Sequence, residues 1–270
     1  MKHKGQKIQS FICHFYLIIL TIIAIFPLVW IILSSIKGKG ELTGNPTGFL
    51  PKTFTLEYFR HVIFDLGFIN NIKNSAGIAL VTTLIAIIVA ALAAYGIVRF
   101  FPKFGSVMSK VLVTTYIFPP ILLAIPYSIV MAKAGLVNTR IGLIIVYLSF
   151  SIPYAVWLLV GFFKSVPIGI EEAARIDGAN KIKVFGTVVL PLVAPGIVAT
   201  AIYTFINAWN EFLYSLILIN DTSKMTVGVA LRSLNGSEIL DSVIVVIPSI
   251  IFFCLIQNKI AGGLTEGSVK

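Results

Sequence analysis

Between Phe11 and Ile36 the chain carries no Asp, Glu, Lys or Arg. At 1.5 Å per residue, a helix needs about 20 apolar residues to cross a hydrocarbon core of roughly 30 Å. Comparable charge-free runs follow at 75–98, 111–131 and 141–163, and the run 192–219 holds a single acid, Glu211. A shorter run occupies 242–256, directly after Asp241. The apolar residues are not confined to one stripe, as expected of helices that face both lipid and protein. A transmembrane barrel would need strands of about ten residues alternating in polarity, and the sequence has no such pattern. The expectation is an all-α polytopic membrane protein with six transmembrane helices, forming a single domain over residues 1–270.

Composition points the same way. Apolar residues make up 57% and charged residues 12%, against about a quarter charged in soluble domains. The formal charge of +10 comes from basic residues scattered between apolar runs, not from one basic face. That pattern argues against nucleic acid and for cytoplasmic loops beside acidic lipid. Cys13 and Cys254 both sit within apolar runs and read as small buried hydrophobes. The basic start MKHKGQK precedes an apolar run with no small-residue cleavage pattern, so it reads as an uncleaved first span.

Lys and Arg set the orientation. With both termini inside, the inner segments hold the larger share of the basic residues, including the cluster Lys2, Lys4 and Lys7. Residues 164–191 then form the largest cytoplasmic loop. Residues 37–74 form an outer loop rich in Gly, Pro and Thr, which either packs on an external partner or caps the bundle.

The cytoplasmic loop contains the stretch EEAARIDGANKIKVFGTVVLPL, residues 171–192. Pro167 suits the first turn of a helix, and Glu171 and Glu172 favour the positive end of its dipole. Ala173 and Ala174 are strong helix formers with little bulk. Gly178 can take the left-handed conformation that stops a helix. A second amphipathic helix over about 180–188 then leads to Leu190-Pro191. Two readings follow: the small pair admits another protein's surface, or the helix lies flat on the lipid.

The spacing Glu172-Ala173-Ala174, then Gly178, then Val188-Val189-Leu190-Pro191 resembles the EAA signature of permease subunits of binding-protein-dependent ABC importers. Only the first Val departs from it, where Ile is usual. The likeness covers nearly the whole chain and is similar to the carbohydrate-uptake branch, in particular the maltose-transporter G-type permease. It extends through Leu136-Val137-Asn138-Thr139, Ala208-Trp209-Asn210-Glu211-Phe212 and Gly263-Leu264-Thr265. Relatives usually carry further residues before the last span, often including Asp-Trp-Gly, where this chain passes from Asp241 to Ser242.

The resemblance implies a type I ABC importer permease fold in the bacterial cell membrane, multi-pass with cytoplasmic termini. It makes 164–191 the coupling loop, with Glu171, Glu172, Ala173, Ala174, Arg175, Asp177, Gly178, Leu190 and Pro191 meeting a cytoplasmic ATPase. It implies two ATPase copies, a second dissimilar permease of the maltose-transporter F-type, and an extracytoplasmic sugar-binding protein. No cofactor is expected in this chain. It has no G-x-x-x-x-G-K-[ST] phosphate loop, so ATP and Mg would be bound by the partner ATPase. The tail 262–270 would reach the ATPase interface.

Glu211 is the only acid placed within a span, in Asn207-Ala208-Trp209-Asn210-Glu211. Charged groups at that depth generally face a cavity or a partner. Indole faces suit sugar rings, and Asn amides both donate and accept hydrogen bonds. Asn207, Asn210 and Glu211 share a helix face while Trp209 lies off it. They either line a substrate path or pair within the bundle. Pro119-Pro120, Pro126 and Pro153 interrupt the third and fourth spans, and could shape a discontinuous wall.

The expected function is therefore a non-catalytic permease half of an ATP-driven sugar importer. An ion-coupled secondary transporter is the alternative, although such proteins usually bury several ionisable groups. His3, His14 and His61 form no cluster that would support an enzyme.

Overall fold

Apolar length sets the helices of this chain, and proline and glycine set where they bend or stop. The computed structural model describes residues 2–38, 40–44, 48–60, 64 and 67–233. The sixth span at 242–256, the Asp241–Ser242 junction and the tail 262–270 lie outside the described residues. The described part falls into two units divided at Gly67 and Phe68.

In the first unit, α1 (Lys2–Ser35) contains an apolar span, Ser10–Ser34, whose large side chains from Phe11 to Phe26 are exposed. The short helices α2 (Glu41–Gly44) and α3 (Glu57–Arg60) follow. The segment after α1 folds back on itself: Lys37 pairs with Phe54 in an antiparallel bridge. The Lys37 side chain is buried, donates to the carbonyl of Gly48 and lies 5.2 Å from the Trp30 ring. A buried ammonium needs such compensation. The backbone N–H of Lys52 donates to Glu41 at 2.7 Å and holds that exposed carboxyl below its ordinary pKa.

The second unit begins with α4 (Phe68–Arg99). On it Ile78, Thr82, Ala86, Ala90 and Ala94 fall four apart and are all buried. Positions four apart share a helix face, and small residues there admit a neighbouring backbone closely. The neighbour is α7 (Arg140–Ser165), which buries Leu143, Val146, Tyr147, Ala155 and Leu159. Between them in sequence come α5 (Pro102–Ile117) and α6 (Pro120–Lys133).

These two replace the single third span expected from sequence: the chain turns by 91° between them. Pro119 pushes Phe118 into an extended conformation (φ −64°, ψ 131°), and neither Pro119 nor Pro120 has an N–H to continue the helix. Pro126 and Pro153, by contrast, sit inside continuous helices.

Beyond α7, α8 (Ile168–Ile176) ends at Gly178, and α9 (Lys181–Lys183) is capped by the Asn180 side chain on the Lys183 N–H at 2.9 Å. A π-helical stretch, Val184–Val189, carries α9 into α10 (Leu190–Asn210). The second loop helix and the fifth span are thus one continuous helix, with wide turns just ahead of Pro191, which cannot donate. The fifth span itself stops at Asn210; α11 (Leu213–Leu218) and α12 (Val227–Ser233) follow. On α10, Gly196 sits under the Phe162 ring, where a side chain would collide.

The segment Leu136-Val137-Asn138-Thr139 has a structural role. Asn138 adopts φ 61°, and its side-chain oxygen accepts from the N–H groups of Asn220 (3.2 Å) and Asp221 (3.1 Å). Thr139 caps α7 by accepting from the Gly142 N–H at 3.0 Å.

Candidate functional site

The loop between α7 and α10 is built on one buried carboxylate. Glu171, in the first turn of α8, is 1% exposed and pairs with the Arg99 Nε at the end of α4. The Tyr95 hydroxyl donates to its other oxygen at 2.8 Å. Arg99 also donates to the Val166 carbonyl at 2.8 Å and the Phe163 carbonyl at 3.4 Å, at the end of α7. The Tyr95 ring packs on Phe163 and Phe185. One acid therefore ties α8 to α4, and the same arginine ties it to α7.

The loop expected to meet the ATPase thus turns one side inward. A nine-residue helix resting on a bundle gives it one face, and the 3.6-residue period puts Glu171 and Ala174 there. Ala174 and Ala179 pack against the buried core, as does Leu190. Glu172, Ala173, Arg175, Asp177, Gly178 and Pro191 are exposed.

Gly178 has φ 87°. Its N–H donates to the Arg175 carbonyl and the Ala179 N–H to the Ala174 carbonyl, each at 3.0 Å. These two bonds close α8 in the Schellman arrangement, which needs a left-handed residue at this point. A small hollow of about 240 Å³ lies beside Glu172, Arg175 and Lys181. Sequence reasoning missed the two most exposed apolar side chains there, Ile176 (87%) and Ile182 (82%), which flank the glycine turn. The signal available was an isoleucine on each side of a hydrophilic turn.

The second region lies where α10 stops. The Glu211 backbone turns extended (ψ 128°), and its carboxylate accepts from the N–H groups of Tyr214 (2.8 Å) and Ser215 (3.2 Å). It thereby caps α11, whose first N–H groups have no partner within the helix. The Tyr147 hydroxyl on α7 donates to it at 2.6 Å.

Glu211, Asn207 and Asn210 open together onto a cavity of about 540 Å³ that also touches Tyr116, Tyr127 and Tyr214. The α5–α6 break forms part of its wall through Phe118 and Pro120. Non-helical backbone at membrane depth is tolerated where it is buried in protein or lines a cavity. The Asn207 amide donates to the Tyr203 carbonyl at 2.8 Å. Trp209 is not brought into this cavity: it is buried, with its ring 6.1 Å from Phe205. Glu211 thus both caps a helix and faces the cavity.

Residues 83–261 match the family model described as binding-protein-dependent transport system inner membrane component. A trehalose transport system permease protein of Mycobacterium tuberculosis is 35% identical over 257 residues, covering 92% of this chain and 93% of that protein. A trehalose/maltose transport system permease protein of Thermococcus litoralis is 34% identical, covering 94% of each. A diacetylchitobiose uptake system permease protein of Streptomyces coelicolor is 30% identical, covering 96% of this chain and 88% of that protein. The fold is similar to a chain of a solved bacterial ABC transporter involved in alginate import. The TM-score there is 0.76 at 24% identity, over 94% of this chain and 97% of that one.

Proposed function

This chain belongs to the family of inner membrane components of binding-protein-dependent transport systems, and on that premise we propose that it is a permease subunit of an ATP-driven sugar importer. The relatives named for trehalose, maltose and diacetylchitobiose support a mono- or oligosaccharide substrate. Family membership does not favour the ion-coupled secondary transporter.

In this reading the chain has six spans with both termini cytoplasmic, and it supplies half of the translocation path. It works with a second, dissimilar permease, two copies of a cytoplasmic ATPase and an extracytoplasmic sugar-binding protein. ATP is bound and cleaved by the partner ATPase.

The observation that carries the reading is the pair Ile176 and Ile182, exposed beside Glu172 and Arg175 on a loop that Glu171 and Arg99 fasten to the bundle. Two isoleucines exposed at one polar turn offer apolar surface that a protein partner gains by burying. An ATPase cleft supplies that cover. Closure of the ATPase dimer would then move α8 as one body with the ends of α4 and α7. At its other end α7 carries Tyr147, bonded to Glu211 at the cavity wall. Displacement of the loop therefore has a packed route to Asn207, Asn210 and Glu211.

Purification of the tagged chain in mild detergent tests this. Native mass measurement should find two ATPase copies and one dissimilar permease per chain, and mass spectrometry should identify a sugar in the complex. A transport-competent homodimer with no ATPase would end the proposal.

A further inference from the structure

The hollow of about 240 Å³ beside α8 has Arg99, Phe100, Ile168, Glu172, Arg175 and Lys181 on its wall. It sits at the level where two apolar helices end, α4 at Arg99 and α7 at Ser165. That level is the boundary between hydrocarbon and water, where phospholipid headgroups lie.

Part of the wall is apolar and open. Phe100 is 44% exposed and Ile168 58%, and the neighbouring Phe101 is exposed as well. The rest is charged. Arg175 precedes the Gly178 turn and Lys181 follows it, yet both reach the hollow. Among the described residues, neither has a carboxylate partner within ion-pair distance. Lys181 lies instead over the Phe100 ring, 5.1 Å from its centroid. Arg99 is already taken by Glu171 and by the carbonyls at the end of α7. Glu172 offsets only one of the two remaining cations, so the wall keeps an excess of positive charge. A guanidinium and an ammonium beside exposed phenyl and aliphatic groups match a phosphodiester that carries acyl chains.

We propose that this hollow binds the headgroup of an acidic phospholipid, with Arg175 and Lys181 on the phosphate and Phe100 and Ile168 beside the glycerol and chains. The proposal goes beyond the transport reading and does not depend on what covers Ile176 and Ile182.

The test uses the complex reconstituted in vesicles of phosphatidylcholine and phosphatidylglycerol in equal parts, then extracted in mild detergent. Mass spectrometry counts the lipid and the ATPase retained per chain. Arg175→Gln and Lys181→Gln are made singly and together, and all three side chains changed in the test are exposed, so folding is not at risk. The third is Lys183→Gln, a lysine outside the hollow that controls for diffuse attraction. Wild type should keep phosphatidylglycerol in preference to phosphatidylcholine. Each charge removed from the hollow should lower that retention about fivefold, the ordinary weight of one basic residue at an acidic membrane surface. Lys183→Gln should match wild type. Equal losses in the Lys181 and Lys183 variants mean diffuse attraction and overturn the site. Unchanged retention in the double variant overturns it too. If the double variant sheds ATPase and keeps its phosphatidylglycerol, the hollow receives an acidic side chain of the ATPase and the proposal fails. If glycerol phosphate alone displaces the lipid, a free phosphate ester is the occupant and the proposal fails.

Discussion

Arg99, the last residue of α4, and Glu171, in the first turn of α8, form an ion pair within the apolar core, with Glu171 1% exposed. The pair fixes the loop to two membrane helices at once, because Arg99 also takes the terminal carbonyls of α7. Removing one partner of a buried pair leaves an uncompensated charge and costs about 3–5 kcal/mol. Arg99→Ala strands the Glu171 carboxylate and Glu171→Gln strands Arg99, so each should lower the thermal stability of the purified chain. The second should lower it less, because Gln keeps a hydrogen-bonding side chain and Arg99 keeps its two carbonyl acceptors. Arg99→Ala with Glu171→Gln together should recover part of the loss. Equal melting temperatures for wild type and Arg99→Ala would show that the pair contributes nothing.

Glu211 has two duties, and two substitutions separate them. Glu211→Gln keeps an oxygen for the Tyr214 or Ser215 N–H, whereas Glu211→Leu leaves both N–H groups and the Tyr147 hydroxyl without their acceptor. Each unsatisfied buried group costs about 1–3 kcal/mol. Glu211→Leu should thus lower both stability and uptake, and Glu211→Gln should lower uptake while melting close to wild type. Normal uptake in the Gln variant would reduce Glu211 to a helix cap.

Asn138 combines a left-handed backbone with two side-chain hydrogen bonds to residues 220 and 221. Asn138→Gly keeps the backbone freedom and loses the bonds; Asn138→Ala loses both. The left-handed conformation costs a residue with a Cβ about 1–2 kcal/mol. Melting temperatures should fall in the order wild type, Asn138→Gly, Asn138→Ala. The reverse order of the two variants would contradict this account of the turn.

The physics explains what could be read in the sequence and what could not. Charge-free runs locate α4, α7 and α10 because burial of backbone in lipid demands unbroken helix. Gly178 was legible because a helix stop often needs a residue free to adopt positive φ. Helical period placed Asn207 and Asn210 on one face, whereas Glu211 joins them at the cavity after its backbone has left the helix. Arg99 and Glu171 were not legible as a pair, since nothing local couples residues that meet only when α4 and α8 pack. The double proline announced an interruption, but its 91° turn depends on what Phe118 and Pro120 pack against. Ile176 and Ile182 escaped notice because an isoleucine ordinarily reads as core. Ala174 was assigned to an outer contact, yet it packs inward.

The central claim is that the turn at Gly178 is a docking surface for an ATPase. Ile176 and Ile182 are the side chains to change, since both point into solvent and neither supports the fold of the loop. In the variant Ile176→Asp with Ile182→Asp, the decisive measurement is the amount of ATPase retained per permease chain after purification in detergent. The account predicts a loss of most of the ATPase with the melting temperature of the chain unchanged. Full retention of ATPase in that double variant would contradict it.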